Sequence, residues 1–477
     1  MLTFCVCLVV LVASYFLYGG LLSRVARLNG DAEVPSKTMY DGVDYMPLPR
    51  WRIFLIQLLN IAGTGPIFGA ILGACYGPVA FLWITLGGIF MGAMHDFLAG
   101  VISLRNGGKS LPETIGKYLG GGVRKFSLVV IPILMVLVGG VFIVTPSKIL
   151  ASMTDIPYLW WVGIVIAYYF VATIMPVDKI IGKIYPLFGA ALILMALAMF
   201  GVVVFGDYSV PELTSLDNMH YNAANLPIVP TLFISIACGA ISGFHATQSP
   251  LMARCMTSET QARPIFFGAM ISESIIALIW AAVAMAFFGG VEGLNGWMQA
   301  NGNDAGLAVS TISVTTLGAI GSILALLGVV AAPITSGDTA FRSARLIVAD
   351  MLNFDQRPIW RRLVVSLPLF AVGVGIAFID FDIIWRYFAW SNQALSVLTL
   401  WMITAWLMRR RSRASWLALI PAMIMTYICS SFVFVSDQFI GMGACFMAYV
   451  YGGVVTAIVS GLFMLKICKD VKEGAPI

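Results

Sequence analysis

The chain has 477 residues, of which 60% are hydrophobic and only 11% are charged, and its net charge is +5. Soluble domains have about 45–50% apolar and about 25% charged residues, so a water-soluble fold cannot hide this much apolar surface. The composition excludes the soluble class and indicates an integral membrane protein with several spans. The basic residues lie in short clusters between apolar runs, which favours a role in membrane topology and does not suggest a nucleic-acid partner.

The first apolar run, residues 1–22, has the position of a signal peptide. It lacks a basic start and is longer than the apolar core of a signal peptide, so it predicts a retained span. The eight cysteines contain no CxxC pair. We therefore expect them to be small buried hydrophobic residues, with no metal site.

About twenty apolar residues cross the hydrocarbon core of a bilayer, and this length predicts thirteen transmembrane helices. The predicted spans are 2–23, 51–76, 78–104, 126–147, 158–176, 185–205, 227–253, 265–290, 311–347, 363–381, 383–408, 415–435 and 443–465. The ninth is too long for one crossing, and we expect an interruption at AAPITSGDTAFRSAR, residues 331–345. The loops 24–50, 105–125, 206–226 and 291–310 are too short to be separate domains, so 1–477 is expected to be a single transmembrane domain.

The loop charges predict the orientation. If the loop after the first span is cytoplasmic, all Lys and Arg residues except Lys148 and Arg386 lie inside, including Lys179, Lys183 and Arg357. This positive-inside bias predicts an N-terminus outside the cell and a cytoplasmic C-terminus.

Two predicted spans are interrupted, at residues 60–69 (NIAGTGPIFG) and 238–250 (CGAISGFHATQSP). With the first span set aside as an accessory helix, the breaks fall in core spans one and six, which start on opposite sides of the membrane. Broken helices in corresponding places of two halves are typical of inverted-repeat transporters. The sequence therefore predicts an all-α, 5+5 inverted repeat, with repeats at 51–205 and 227–408 and two C-terminal helices at 415–465.

The first break, Ala62 to Pro66, should leave backbone carbonyl and amide groups without helical partners. Free carbonyls suit a small cation, and free N–H groups at a half-helix N-terminus suit a carboxylate. The alternative is a kink in which glycine lets two helices pack closely.

His245 lies near the middle of core span six and is one of three histidines. Its ordinary pKa suits a proton carrier, although a membrane histidine is also often a hydrogen-bonded interhelical residue. Its neighbours Ser242, Thr247, Gln248 and Ser249 are candidates to hydrogen-bond a polar substrate.

Intramembrane charged residues are functional candidates because they are costly in lipid. His95 and Asp96 could relay protons or form a structural network, and Glu273 has the same ambiguity. Thr335, Ser336 and Asp338 offer oxygen ligands for a hard cation.

Asp338 could instead exchange a proton or pair with Arg342 one turn later. Asn392 and Gln393 in core span ten are expected to find partners across helices. The chain has no P-loop, no HExxH and no CxxC motif, so an enzyme is not indicated.

The longest motifs resemble the carbon starvation protein A family of bacterial inner-membrane transporters. The stretches that carry the resemblance are DGVDYMPLPRW from Asp41, IAGTGPIFGA from Ile61, MHDF from Met94, ACGAISGFHATQSPLMARCM from Ala237, SGDTAFRSARLIVAD from Ser336 and WRYFAWSNQAL from Trp385. The resemblance spans roughly residues 24–407 and is less clear over the last two spans.

This resemblance implies uptake of peptides during carbon limitation, and some members are similar to pyruvate importers. It also implies membership of the amino acid–polyamine–organocation superfamily and its LeuT-type fold of two inverted five-helix repeats. Carried over by position, the substrate site would involve Gly63, Thr64, Gly65, Ser242, Gly243 and His245. A cation site would involve Ala62, Thr335, Ser336 and Asp338.

We therefore expect a secondary active transporter for a short peptide or pyruvate, coupled to a proton or sodium gradient and needing no cofactor. The alternatives from other classes are a channel and a nutrient-binding membrane sensor. The expected partners are the lipid bilayer and a small-molecule substrate, and the sequence does not indicate an oligomeric state.

Overall fold

The computed structural model describes residues 1–42, 44–175, 185–356, 358–379 and 381–472, and the regular elements in these ranges are helices. A helix satisfies its own backbone N–H and C=O groups, which a segment in hydrocarbon must do because no water is available there. Lys179, Lys183 and Arg357 of the predicted inner loops lie outside the described residues.

The first half of the chain carries ten helices. They are α1 (Leu2–Ala26), α2 (Pro35–Thr38), α3 (Arg50–Ala62), α4 (Ala70–Ala74), α5 (Val79–Leu82), α6 (Met94–Arg105), α7 (Leu111–Leu119), α8 (Gly121–Met153), α9 (Tyr158–Ile174) and α10 (Tyr185–Phe205). π-helical turns at Gly65–Gly69 lead into α4, and those at Trp83–Ala93 join α5 to α6. The short α7 lies within the predicted loop 105–125.

The second half carries ten more. They are α11 (Phe233–Ser235), α12 (Gly243–Ala253), α13 (Gly268–Phe287), α14 (Val291–Ala300), α15 (Ala305–Leu324), α16 (Ala331–Met351), α17 (Ile359–Ile376), α18 (Phe381–Arg409), α19 (Trp416–Val435) and α20 (Phe446–Lys472). π-helical turns at Ile228–Leu232, Arg263–Phe267 and Ala325–Val330 precede α11, α13 and α16. The predicted loop 291–310 contains α14 and the start of α15.

Helices lie at all thirteen predicted segments, but fewer qualify as complete spans by length and apolarity. Eight helices of the described chain do so, and ten if each of two bent pairs counts as one span. The eight are Leu2–Ala26, Val79–Arg105, Gly121–Ala151, Tyr185–Phe205, Glu259–Phe287, Ile359–Ile376, Arg413–Val435 and Phe446–Asp470. The protein is therefore a helical, multi-span membrane protein.

The predicted interruption at residues 331–345 is wrong, because α16 runs without a break from Ala331 to Met351. The hydroxyl of Thr335 bonds back to the carbonyls of Ala331 and Ala332, so this polar side chain is satisfied by its own helix. The departure from helical geometry occurs earlier, at Gly318 (φ 57°, ψ −137°). A positive φ of this kind is accessible to glycine at little cost.

Two broken helices lie at the centre of the bundle. Helix α3 packs against α10, α12, α13 and α16, and α12 packs against α6 and α18. Around them, α8 runs along α16, and α19 packs between α18 and α20. The first helix, α1, lies at the edge against α13 and is only partly buried. This arrangement brings the polar residues of both broken helices into the protein interior.

Candidate functional site

The first break separates α3 from the π-helical turns that follow it. Helix α3 ends at Ala62, and Gly63 takes φ 45° and ψ −136°, a conformation open to glycine because it has no Cβ. Pro66 then lies in the first turn of the next helical segment, where its missing N–H costs nothing. The two halves meet at an angle of 54°, so this part of the predicted break is confirmed.

The second break is shorter than predicted. Helix α11 ends at Ser235 and α12 begins at Gly243, so the irregular backbone covers residues 236–242 and includes Gly239 at φ 91°. The prediction extended it to Pro250, but Pro250 lies inside α12. The helix ends at Ala253, soon after Pro250, which limits the cost of the lost N–H. His245 and Gln248 are therefore helical residues that follow the break.

The two breaks touch each other. A Cβ added to Gly65 would overlap the Cβ and Sγ atoms of Cys238. A Cβ added to Gly239 would lie 2.6 Å from the Ala277 Cβ and close to Pro66. Because glycine removes the side chain at these points, the backbones of the two broken helices and α13 approach closely.

Helix α18 supplies the hydrogen bonds that the second break lacks. The Asn392 Oδ1 atom accepts from the Phe244 N–H at 2.8 Å and from the Ser242 hydroxyl at 2.9 Å. On the other side of the break, the Gln393 side chain donates to the Phe233 carbonyl at 3.1 Å. The expectation that Asn392 and Gln393 find partners across helices is confirmed. Asn392 therefore caps the N-terminus of α12. The Phe244 N–H that it occupies is one of the N–H groups that the sequence analysis expected to be free for a carboxylate.

A chain of buried ionisable side chains passes beside the breaks. Asp96 of α6 lies 2.8 Å from the Nδ1 atom of His95 through one oxygen and 2.8 Å from the Nδ1 atom of His245 through the other. The His245 Nε2 atom lies 3.4 Å from an oxygen of Glu273 on α13. All four side chains are completely buried. We call Asp96, His245 and Glu273 the central triad.

The geometry of the central triad defines where protons are held. Asp96 as a carboxylate is an acceptor, so each histidine donates an N–H from Nδ1. A neutral His245 then presents a lone pair at Nε2, facing the carboxyl of Glu273. Two acceptors would repel, so a favourable contact needs a proton on one of these two groups. The sequence identified these residues separately but did not join them, because 149 residues separate Asp96 from His245.

Several buried polar atoms of the two broken helices, the triad and His95 have no hydrogen-bond partner within the described part of the chain. They belong to both side-chain ends of Gln57 and Asn60, the Thr64 hydroxyl, the Gln248 carbonyl, both Glu273 oxygens, and the Nε2 atoms of His95 and His245. Buried polar groups are normally paired, so an unpaired group at such a site needs a partner such as water, an ion or a ligand. Sequence reasoning assigned no role to Gln57.

Cys238, His245 and Glu273 are also a possible donor set for a metal ion. One ligand atom from each lies within 4.8 Å of the others, and all three residues are buried. Thiolate, imidazole and carboxylate ligands together suit a borderline metal such as Zn²⁺. Asp96 would then orient the histidine, as carboxylates do for many metal-bound imidazoles. The sequence predicted no metal site, and Cys238 was expected to be a small hydrophobic residue.

The predicted cation ligands Ser336 and Asp338 lie on different faces of α16. The Ser336 hydroxyl donates to the Leu59 carbonyl at 3.1 Å, near the end of α3, where Ala62 is the last helical residue. Asp338 accepts from the Tyr185 hydroxyl at 2.7 Å and lies 4.0 Å from Arg342. Residues two apart on a helix face nearly opposite directions. The structure thus brings Ser336 to the first break and gives Asp338 the alternative role of pairing with Arg342.

A cavity of about 310 Å³ opens beside the two breaks. Phe68 and Leu72 of the first broken helix, Ile234 and Ser235 before the second break, and residues of the 206–226 segment line it. Trp385, Arg386 and Asp437 are also among its lining residues. We call this cavity the vestibule. It gives the region of the breaks a polar approach from the side of the 206–226 segment.

The segment between α1 and α3 covers the opposite side. The Leu48 N–H donates to the Cys255 carbonyl at 3.1 Å, and the Tyr45 hydroxyl donates to the Gly107 carbonyl at 3.1 Å. The Arg254 guanidinium lies over the Tyr45 ring at 4.9 Å and donates to the Gly108 carbonyl. These contacts join the segment to the ends of α6 and α12, and close that side of the bundle.

Solved structures with a similar fold include crystal structures of a manganese transporter of Eremococcus coleocola, each of a point mutant. One mutant matches with a TM-score of 0.51 at 12% identity, over 91% of this chain and 99% of that chain. A second mutant matches with a TM-score of 0.51 at 13% identity over the same shares. At this identity the likeness concerns the fold alone.

Relatives in sequence include a protein named uncharacterized membrane protein of Haemophilus influenzae, which is 42% identical over 60% of this chain and 91% of its own length. The peptide transporter CstA of Campylobacter jejuni is 24% identical over 86% of this chain and 76% of its own length. The pyruvate/proton symporter BtsT of Escherichia coli is 26% identical over 64% of this chain and 50% of its own length.

The family model described as carbon starvation protein CstA matches residues 1–158 and 144–319. These matches cover both helix breaks, His95, Asp96, His245 and Glu273, and well over half of the chain. The protein is a member of the CstA family.

Proposed function

We propose that the protein is a secondary active transporter that imports a small carboxylate-bearing solute, either a short peptide or pyruvate, during carbon starvation. Relatives named as a peptide transporter and as a pyruvate/proton symporter support both solute classes. The two breaks that meet inside the bundle support a central binding site of the kind found between broken helices in transporters.

The observation that carries the proposal is His245, held between Asp96 and Glu273 beside both breaks. A proton shared between His245 and Glu273 can be gained or lost there without moving the backbone. Buried ionisable residues of this kind mark proton pathways in membrane transporters. We therefore favour proton coupling, with inward proton flow supplying the energy for import.

Sodium coupling is the alternative for the same activity. Its site would lie at the end of α3, where Ala62 precedes the break and the Ser336 hydroxyl already meets the Leu59 carbonyl. Thr335 is the remaining predicted ligand, although its hydroxyl bonds within its own helix.

The solute would bind where the two breaks meet, next to the central triad. Thr64 and Gln248 offer a hydroxyl and a carbonyl oxygen that lack partners in the described chain. Gly63, Gly65 and Gly243 offer backbone at the breaks, and Ser242 would exchange its bond with Asn392 for one to the solute.

We propose the 5+5 inverted repeat, with repeats at 51–205 and 227–408, as the architecture of transport. With the N-terminus outside and the C-terminus in the cytoplasm, the vestibule faces outward and the segment before α3 closes the cytoplasmic side. The structure then corresponds to an outward-facing state in the inner membrane. Alternating access would rock one group of helices against the other.

The test is uptake of labelled pyruvate and labelled dialanine into proteoliposomes, with proton and sodium gradients imposed separately. We expect a proton gradient to drive accumulation and a sodium gradient to leave it unchanged. Counterflow of internal against external solute separates a carrier from a channel or a sensor. Absence of counterflow for both solutes would contradict the transporter proposal.

Variants of the central triad test the proton pathway. His245→Ala and Glu273→Gln should each abolish proton-driven accumulation and retain counterflow, because exchange needs no net proton movement. Glu292→Gln is the matched control, since Glu292 is an exposed acid on α14, away from the triad. An unchanged rate and pH profile in His245→Ala would remove His245 from the mechanism.

A further inference from the structure

The vestibule has a distinctive charge arrangement. Among the described residues that line it, Arg386 is the cation and Asp437 the acid, and both are exposed. Neither takes part in an ion pair of the described chain. An exposed guanidinium at the wall of a concave site is a ready binder of carboxylates through its planar pair of N–H donors.

His220 adds an uncharged donor to the same cavity. Its Nδ1 atom accepts the Asn222 N–H at 3.0 Å, so the neutral ring carries its hydrogen on Nε2. Burial lowers the pKa of His220 to about 4, and the ring is therefore neutral near pH 7. Its ring lies 4.6 Å from the Tyr221 ring and 4.8 Å from the Tyr76 ring, which holds it in place.

A series of aromatic side chains, which we call the aromatic layer, runs from the vestibule wall to the first break. Phe68 and Trp385 line the vestibule and lie 5.9 Å apart. Trp385 contacts Phe388 at 5.3 Å, and Phe388 contacts Phe142 at 5.8 Å, which in turn lies beside the Gly63 break. A solute in the vestibule would therefore be close to the breaks without touching His245.

The size of the vestibule suits a small organic solute. Its volume of about 310 Å³ lies at the lower end of the roughly 300–1,000 Å³ usual for small-molecule pockets. Its lining combines apolar side chains with a few amides, hydroxyls and the two charges. This is the composition expected of a specific small-molecule site.

We propose that the vestibule is a second binding site, in which Arg386 binds the carboxylate of the solute before it passes the aromatic layer. This proposal rests on the proposed import of a carboxylate-bearing solute, and it adds an outer site with its own selectivity. Solutes without a carboxylate would lose the Arg386 contact.

Asp437 distinguishes the two solute classes. A dipeptide is a zwitterion, so its ammonium can pair with Asp437 while Arg386 binds the carboxylate. Pyruvate carries only a negative charge, and Asp437 would repel it. Neutralising Asp437 should therefore weaken binding of a dipeptide and should not weaken binding of pyruvate.

The experiment compares uptake kinetics of the whole chain in proteoliposomes for labelled pyruvate and dialanine. Arg386→Gln should raise KM about tenfold or more for the transported solute, with kcat within twofold, and Arg386→Lys should recover part of the loss. Asp437→Asn should raise KM for dialanine and leave unchanged or lower KM for pyruvate. Lys148→Gln and Glu292→Gln are same-side charge controls that do not line the vestibule, and they should leave KM unchanged.

Unchanged KM in Arg386→Gln, or an equal change in Lys148→Gln, would overturn the outer site. Failure of transport in the wild-type protein would overturn only the proposed function, because binding can be measured separately. In detergent solution, calorimetric binding of pyruvate that is lost in Arg386→Gln and absent for methyl pyruvate would still support the outer site. Binding with unchanged affinity and stoichiometry in Arg386→Gln, or no binding of either pyruvate or dialanine in the wild type, would refute it.

Discussion

A methyl group placed on Gly65 tests whether the two helix breaks meet. The added Cβ of Gly65→Ala would overlap Cys238, whereas ordinary contacts begin at 3.4 Å. Relief requires the two backbones to separate by about 1 Å, since one of the overlapped atoms is the Cys238 Cβ, which rotation of the side chain cannot move. Overpacking of a buried contact usually costs about 1–3 kcal/mol, and we expect a destabilisation in this range.

The assay heats purified protein in detergent and measures the temperature at which half of the monodisperse protein is lost. Gly201→Ala is the matched control, because nothing lies within 4 Å of its added Cβ and it lies within α10. Alanine there should be neutral or stabilising by about 0.5–1 kcal/mol, as in other helix interiors. The same substitution thus has opposite expected effects at the two positions.

A double variant identifies the contact responsible. Cys238→Gly removes the atoms that the new methyl group would overlap, so Gly65→Ala with Cys238→Gly should be less destabilised than the sum of the two single variants. If Gly65→Ala is as stable as the wild type, or if the two changes simply add, the breaks do not meet as described. That result would contradict a solute site formed where the two breaks meet.

Three further predictions follow from single contacts. Asn392→Ala leaves the Phe244 N–H buried without an acceptor, which should cost about 1–3 kcal/mol of stability. Asn392→Asp keeps the acceptor oxygen and should be more stable than Asn392→Ala. Equal stability of the two variants would contradict the capping role of Asn392. Arg254 holds the segment between α1 and α3 in place, so Arg254→Gln should speed maleimide labelling of the buried Cys255. The labelling is measured in a background without the exposed Cys5, Cys445 and Cys468. An unchanged labelling rate would show that Arg254 does not hold this segment. Because burial lowers the pKa of His220 from 6.5 to about 4, the folded 206–226 segment should be best ordered above pH 6.5 and lose order as the pH falls toward about 4. The protection factors of its amides, in which the intrinsic pH dependence of hydrogen exchange is divided out, should fall over this range in the wild type and stay constant in His220→Gln. Constant protection factors in the wild type would contradict this cause.

The two helix breaks show what local sequence predicts about backbone geometry. Glycine and proline predicted both breaks, and the first begins where Gly63 requires a positive φ. The second ends at Gly243 and not at Pro250, because a proline close to a helix end removes one hydrogen bond without ending the helix. Composition alone cannot distinguish these cases, since each depends on what neighbouring helices offer to the free backbone groups.

The long ninth span shows the opposite error. Its run of Thr, Ser, Gly and Asp resembles a break, yet α16 is continuous. Thr335 bonds back to its own helix, and Asp338 finds Tyr185 of α10. A polar residue breaks a helix only when its side chain cannot find hydrogen-bond partners while the backbone stays helical. Partners on other helices are not visible in the sequence.

The sequence by itself determined the class of protein, the helical character of its spans, the places where two helices break, and the family. These properties follow from composition, apolar run length and the backbone limits of glycine and proline, which act locally. Only the tertiary structure joined His245 to Asp96 and Glu273, turned Asp338 toward Tyr185, and placed Arg386 in the vestibule wall. These residues are far apart along the chain, and helix packing alone decides which polar groups share a site and which satisfy each other.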